Sequence, residues 1–415
     1  MSKKMYQDED ESIEIDPFAK EQLILYPVEQ RQMVKKNFRK LRIGIPKENS
    51  ALEKRVALRP EAVEVLVRNG HEVAIETKAG IDSKFEDQEY SEAGAKIVYS
   101  AKEVFESEIV LKIEPPTLEE LEMMKNGKTL ISAIQMASLS PEYIKALQKK
   151  KITAVAYEFI EDKIGSFPIV RAMSEIAGST VMLIAAEYLS SHKDGKGVIL
   201  GGVTGVPPTK VVIIGAGTVG EYAARTALGL GAEIKIFDRQ IYKLRRLKYA
   251  IGHECFTSTI DVVMLTEAIS RADVVIGALR GEKGRSPVVV TDEMVSKMKP
   301  NSVIIDVCID QGGCVETSEM TTLQDPVYKK YGIIHYCVPN IASRVARTSS
   351  TALSNIFAPY IIEIGECGGI DNMIYANKWF LKGVYAYKGN LTNEDIAKKF
   401  NLPHKDLGLL MVARF

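Results

Sequence analysis

The sequence predicts an α/β protein of two Rossmann-like domains with parallel sheets, one domain inserted into the other. Three observations point there. Short apolar runs alternate with helical text over most of the chain, the rhythm of strand–helix–strand units. A glycine-rich strand–turn–helix–strand lies at 210–238, far from either end. The text after residue 347 is again helical and apolar, which fits a return to the first domain. A length of 415 residues allows two or three domains.

The elements follow in order. Residues 1–40 are polar, with one short apolar patch at Leu23 to Tyr26, and read either as an extension with one or two helices or as a loose arm. LRIGIP from Leu41 is a buried strand ended by Pro46. RPEAVEVLVRNG places Pro60 in the first turn of a helix and Gly70 just past its end. HEVAIET is the next strand, and SEIVLKI (107–113), KTLISAI (128–134) and KITAVAYEFI (151–160) continue the pattern. A long helix runs from Ala172 without proline, and a Gly/Pro-rich stretch follows it. Strands are expected at DVVIGAL (273–279), SVIIDVCID (302–310) and GIIHYCV (332–338), with a helix at TDEMVSKMK. SSTALSNIFAPYIIEIGECGG is helical, and Thr392 with Asp395 suggests a capping box near the end. The predicted division is 1–40, 41–169, 170–346 and 347–415, with the last segment rejoining the second.

Composition excludes several classes. Hydrophobic residues are 46% and charged residues 26%, as in soluble globular proteins. With 54 basic and 54 acidic residues the net charge is zero, so no global field holds nucleic acid or an acidic membrane. The apolar stretch at Thr180 to Leu189 is interrupted by Glu187 and is too short to span a bilayer. The N-terminus has no apolar signal region, and a cytoplasmic protein is expected. The five cysteines are odd in number and form no Cys-x-x-Cys pair. They read as reduced thiols, and no metal site is expected.

The strongest motif is KVVIIGAGTVGEYAARTALGLGAEIKIFD. Gly215, Gly217 and Gly220 fit G-x-G-x-x-G between an apolar strand and a helix. The first glycine makes the tight turn, the second admits a pyrophosphate, and the third lets helix and strand close together. Thr218, Val219 and Gly220 open a helix whose unpaired N–H groups suit phosphate. Asp238, eighteen residues after Gly220, suits the two hydroxyls of a ribose. A 2′-phosphate would meet its carboxylate, so NAD is expected rather than NADP, although Arg239 adjoins it.

Taken with these blocks, the chain resembles the alanine dehydrogenase and nicotinamide nucleotide transhydrogenase α-subunit family, and alanine dehydrogenases more closely. The matching text is IGIPKE (43–48), RVAL (55–58), NGHEV, LK followed by Pro at 111–116, MSEIAG (173–178), GAGTVG, IDQGG (309–313) and HYCVPN (335–340). The resemblance implies a catalytic domain made from both ends of the chain and an inserted NAD domain. It implies reversible hydride transfer between L-alanine and NAD, giving pyruvate and ammonia, in a homo-oligomer, often a hexamer. It places Arg55 on the substrate carboxylate, Asp310 near the reacting carbon and nicotinamide, and Asn340 beside them. It places Ser174, Lys243 and Leu279 against the cofactor. Each has a plainer reading: a surface arginine, a strand-end cap, a turn residue, a helix cap, an exposed lysine and strand core.

Two family residues are replaced. Where the family has LK-x-K-E-P this chain has Leu111, Lys112, Ile113, Glu114 and Pro115, so Glu114 stands for the second lysine. Gln135 stands where the family has a histidine acid–base. Glutamine donates a hydrogen bond to a carbonyl but carries no proton at neutral pH. Lys112 is expected either to serve in the missing lysine's place or to pair with Glu114. Three readings follow: an alanine or close amino-acid dehydrogenase, a hydride transferase on another or secondary amine with Glu114 meeting a cationic substrate, or a nucleotide-binding subunit without alanine turnover. With Gln135 in place, activity is expected to show no titration near the histidine value of about 6.5.

Overall fold

The computed structural model describes residues 38–412, apart from 51, 137 and 282–284. The expected N-terminal extension lies outside the described residues except for 38–40. Strands β1 (Arg42–Ile45), β2 (Glu72–Glu76), β3 (Lys96–Val98), β4 (Ile109–Leu111), β5 (Thr129–Ser132) and β6 (Thr153–Ala156) come from the first part of the chain. Strands β7 (Lys210–Ile214), β8 (Glu233–Asp238), β9 (Phe256–Thr259), β10 (Val274–Gly277), β11 (Val303–Asp306), β12 (Val327–Lys330) and β13 (Ile333–Tyr336) form the second group. β14 (Val384–Tyr387) and β15 (Asn390–Leu391) close the list.

The first sheet has the order β15-β14-β6-β5-β4-β1-β2-β3, and the second β12-β13-β11-β10-β7-β8-β9. Each contains the doubly wound pattern in which the first strand sits beside the second on one side and the fourth on the other. The β1/β4 boundary and the β7/β10 boundary are therefore the two switch points, where crevices open beyond the strand ends. β5, β6, β10, β11 and β13 are buried at every residue, as strands covered on both faces must be.

The strands are mostly parallel, as expected, with antiparallel pairing at one edge of each sheet. β14 runs antiparallel to β6 and to β15, and β12 antiparallel to β13. Both hairpins turn on a residue pair at positive φ, Lys388–Gly389 and Tyr331–Gly332, the geometry that favours tight two-residue hairpins. β3, β9, β12 and β15 are short or half-polar, and β14 lies outside the strands expected from the sequence.

Six helices matter to the site: α1 (Pro60–Arg68), α2 (Pro168–Leu189), α3 (Thr218–Gly229), α4 (Ile241–Ile251), α5 (Ala346–Glu366) and α6 (Glu394–Phe400). α2 starts at Pro168 rather than Ala172, and its 22 residues are long and apolar enough to cross a bilayer. The short span expected at Thr180 to Leu189 is corrected accordingly. Val181, Met182, Ile184 and Ala185 are nevertheless buried in the core of the second sheet. Gly178 lets α3 close on α2, since a Cβ there would stand 2.4 Å from the Val219 carbonyl oxygen. α6 is capped by Asn393, whose side chain accepts from the Ile396 N–H. That replaces the expected Thr392–Asp395 box, because the Thr392 hydroxyl donates instead to Val384.

The segment 53–59 belongs to no strand, yet its backbone is buried and satisfied. Lys54, Val56 and Arg59 donate their N–H groups to the hydroxyls of Ser343, Ser350 and Ser354 at 2.8–2.9 Å. Buried N–H groups demand such partners. These serines, two of them on α5, fix the loop that carries Arg55.

Candidate active site

At the second switch point the glycines take three different positions. Gly215 follows β7 at φ +116°, and a Cβ on it would lie 2.3 Å from the Ala278 oxygen. Gly220 sits in α3, where a Cβ would be 1.9 Å from the Gly215 oxygen. Gly217 caps α3 and faces open space, with no atom within 4 Å of its absent Cβ. Two glycines are thus demanded by packing and one leaves a cradle. The first-turn N–H groups of Thr218, Val219 and Gly220 have no partner within the helix geometry and border that cradle. This is a fit for a pyrophosphate.

Asp238 ends β8 and is buried. One oxygen accepts from Ala216 N at 2.7 Å and the other from Gln240 N at 2.8 Å. The carboxylate is thereby aimed beside the glycine turn, with lone pairs remaining for hydroxyl donors. Leu279 follows β10, and the Gly215 turn packs on its backbone. Lys243 lies on α4 in a half-buried position, and Arg239 is exposed. Ser174 is half-buried inside α2, so the helix-cap alternative for it does not apply.

At the first switch point the residues after β1 and β4 meet. Lys112 is 2% exposed and its ammonium donates to Glu48 at 2.6 Å, with Glu120 at 3.9 Å. Glu48 also accepts from the Ile113 N–H at 2.7 Å, pinning the two loops together. Burial pushes the Glu48 carboxyl up to about 7 against the pull of Lys112. The partners of Lys112 are thus Glu48 and Glu120, not Glu114. Glu114 is raised by burial first and by Glu53 second.

Arg55 is almost fully buried and grips Glu53 along one edge, Nε to Oε1 at 2.7 Å and Nη2 to Oε2 at 2.5 Å. Its Nη1 meets only the Met173 sulfur at 3.3 Å, a weak acceptor. The far edge of the guanidinium is therefore left for a stronger anion. Asn340, at φ +57°, donates to Glu53 Oε2 at 2.9 Å. Burial opposes ionisation of Glu53, but the charge and hydrogen bonds of Arg55 outweigh it and hold the carboxyl below its usual value. Tyr157 closes the group, its hydroxyl donating to Ile113 O at 2.7 Å.

Gln135 stands on an exposed turn at φ +46°, held from below by Glu158, which accepts from Ile134 N at 2.8 Å. The other Glu158 oxygen has no hydrogen-bond partner, and burial raises its carboxyl. Asp310 lies on the short turn Ile309–Gln311 after β11 and reaches solvent. Partial desolvation, and then Asp306, raise its carboxyl. His335 is buried, hydrogen-bonded to Thr317 at 2.8 Å and Ile333 at 3.0 Å, and burial lowers its value. It is a satisfied strand residue.

The structure thus joins Arg55 to Asn340 through Glu53, and Lys112 to the loop of Glu114 through Glu48. Hydrogen bonds do not bring Gln135 or Asp310 into either group among the described residues. Sequence reasoning missed Glu48, Glu53, Tyr157 and Glu158. Glu48 was visible in IGIPKE, and Glu53 two residues before Arg55, but neither has a motif that marks it.

Glu48 makes stability depend on pH. Between its unfolded value of 4.5 and about 7 the folded chain holds a proton that the unfolded chain releases. Stability should therefore fall as pH rises across that window, by about 3 kcal/mol, and level off above it. Urea unfolding against pH checks this, and Glu48→Gln should flatten the curve.

Two doubly wound sheets, one with a phosphate cradle and the other with a buried arginine and lysine at its switch point, mark a nucleotide-binding α/β enzyme. Family models for the alanine dehydrogenase/PNT N-terminal and C-terminal domains match residues 44–177 and 181–394. An alanine dehydrogenase of Methanococcus maripaludis is 42% identical over 364 residues, covering 87% of this chain and 97% of the relative. One from Bacillus subtilis is 41% identical over 357 residues, covering 86% and 94%. A solved L-alanine dehydrogenase superposes with a TM-score of 0.81 at 37% identity, covering 86% and 98%. A transhydrogenase from Sinorhizobium meliloti shares the fold, with a TM-score of 0.74 at 24% identity over 85% of this chain and 99% of its own. The chain belongs to the alanine dehydrogenase/PNT family.

Proposed function

We propose that this chain interconverts L-alanine with pyruvate and ammonia, using NAD. The observation that carries this is similarity to alanine dehydrogenases at about 40% identity over 86–87% of the chain, joined to a glycine turn whose middle position is left open.

When bound, NAD supplies the acceptor for hydrogen and its electron pair. Thr218, Val219 and Gly220 hold its phosphates by backbone N–H groups, and Asp238 takes the ribose hydroxyls. Ser174, Lys243, Leu279 and Asn340 line its path. Arg55 presents its free guanidinium edge to the substrate carboxylate, while Glu53 fixes the other edge so that no rotamer search is needed. Gln135 donates a hydrogen bond to the substrate carbonyl. Asp310 accepts a proton from ammonia or water at its carboxylate. Lys112 holds a fixed positive charge behind Glu114, offsetting the repulsion between that carboxylate and an oxo acid.

The subunits assemble as a homo-oligomer, with six the favoured number, in the cytoplasm. The catalytic lobe takes 41–169 and 347–415 and the nucleotide lobe 170–346. A second reading, a cationic or secondary-amine substrate, draws on Glu114, whose carboxyl feels both Glu53 and Arg55.

The test is NADH oxidation with pyruvate plus ammonia, beside a panel of other oxo acids and amines. The highest kcat/KM is expected with pyruvate and ammonia. A larger value with a bulkier oxo acid or a secondary amine would favour the second reading. Gly217→Ala should leave the unfolding midpoint unchanged, because its Cβ meets no protein atom. It should weaken NADH binding at least ten-fold by fluorescence titration, the loss expected when about 1.4 kcal/mol of contact is blocked.

A further inference from the structure

We propose that Cys308 and Cys314 form a reversible disulfide that switches off the Asp310 turn. The turn runs Cys308–Ile309–Asp310–Gln311–Gly312–Gly313–Cys314, so the two thiols bracket the proposed proton acceptor. Their sulfurs, and an oxygen of Asp306, all lie within 4.8 Å of one another. The backbone already brings the two ends together: Gln311 and Gly313 both donate to Cys308 O, at 2.9 and 3.0 Å. Gly312 and Gly313 both have positive φ, so the turn closes on itself without side chains in the way.

Asp306, fully buried at the end of β11, is the hub. Its Oδ2 accepts from Cys314 N at 2.9 Å and Val315 N at 3.1 Å. Its Oδ1 faces Cys308 N at 3.3 Å and the sulfurs of Cys308 and Cys314 at 3.1 and 3.9 Å. The carboxylate is thus committed to holding the turn, which argues for a dithiol rather than a cation site. Both thiols are donors to it in the reduced state. Cys314 is sealed, and Cys308 is 6% exposed, so Cys308 is the end that an oxidant reaches first.

With a peroxide as oxidant the chemistry balances. The Cys308 sulfur attacks one peroxide oxygen and its proton passes by way of Asp306 to the departing oxygen. This gives a sulfenic acid and one water. The Cys314 sulfur then attacks the Cys308 sulfur, the S–S bond forms, and the S–OH bond breaks with loss of a second water. The two sulfurs are oxidised and the peroxide is reduced. Afterwards neither sulfur donates to Asp306, and the six-residue register between Cys308 and Cys314 is covalently fixed. Asp310, carried between them, loses the geometry of the reduced turn. A dithiol returns the system to its start by exchange. The hydrogen bond with Cys308 first, then burial and the Asp306 carboxylate, push the Cys314 thiol well above its usual value.

The loss of activity rests on the role proposed for Asp310; the cross-link does not. The experiment treats the full-length protein with hydrogen peroxide, blocks remaining thiols, and maps peptides by mass spectrometry while following NADH oxidation. The expected result is a Cys308–Cys314 linked peptide appearing in step with at least a ten-fold fall in kcat, both reversed by dithiothreitol. Cys308→Ala should retain turnover before and after peroxide. No linked peptide while the half-buried Cys255 is fully oxidised, or equal inactivation of Cys308→Ala, would overturn the proposal. A linked peptide with undiminished kcat would overturn the switch, and Asp310→Asn would then judge Asp310 separately.

Discussion

Replacing Lys112 by Met is expected to destabilise the protein by about 3–5 kcal/mol, the range for removing one partner from a buried ion pair. Lys112 is 2% exposed and its neighbours Glu48 and Glu120 are also buried. Without the ammonium, two carboxylates share one crevice. Glu120 keeps hydrogen bonds from Asn49 and Thr117 at 2.8 Å, whereas Glu48 loses its one side-chain donor. Glu48 escapes by taking a proton, because burial has already pushed its carboxyl up to about 7. The loss should therefore be largest above pH 7 and shrink toward pH 5. The Glu48→Gln, Lys112→Met double variant should recover part of it, since the charge left without its partner is gone. Urea unfolding at several pH values measures all three. A loss below about 1 kcal/mol at pH 8, the range of an exposed pair, would mean that the pair is not sealed.

Asp310→Asn is expected to lower kcat by about 10²–10⁴-fold, the range for a positioned acid–base group, with NADH affinity within a factor of two. The isosteric amide keeps the turn but cannot accept a proton. Its separation from the glycine cradle, on a different strand end, is why binding is spared. Single-turnover kinetics with NADH fluorescence separates the two quantities. Turnover equal to wild type would remove Asp310 from the mechanism.

Much of the fold was legible because fully buried strands read as unbroken apolar runs. KVVII, DVVIG and SVIID need no more than that, and the glycines at 215 and 220 follow from packing that leaves no room for a Cβ, while Gly217 leaves a cradle open. The hairpins at Tyr331–Gly332 and Lys388–Gly389 were not legible, because β12 is half-polar, β15 has only two residues, and the turn signal is one glycine beside a residue that rarely adopts positive φ. The site divided in the same way. Residues inside motifs could be named from the sequence: Arg55, Asp238 and Asp310. Their partners could not, because Glu48 meets Lys112 across 64 residues and Asn340 meets Glu53 across 287. Long-range pairs leave no local spacing to read. Lys112 shows the limit most clearly. On sequence it was read either as taking the missing lysine's place or as pairing with Glu114, and the crevice between β1 and β4 gives it Glu48 as its ion-pair partner.

The central claim is that this site oxidises L-alanine despite Glu114 and Gln135. The direct measurement is L-alanine-dependent reduction of NAD by the purified full-length protein, run beside Gly217→Ala and Asp310→Asn. The account predicts saturable NADH formation, weakened through NAD affinity in the first variant and through kcat in the second. NADH binding with no turnover of alanine, or turnover that neither variant alters, would contradict it.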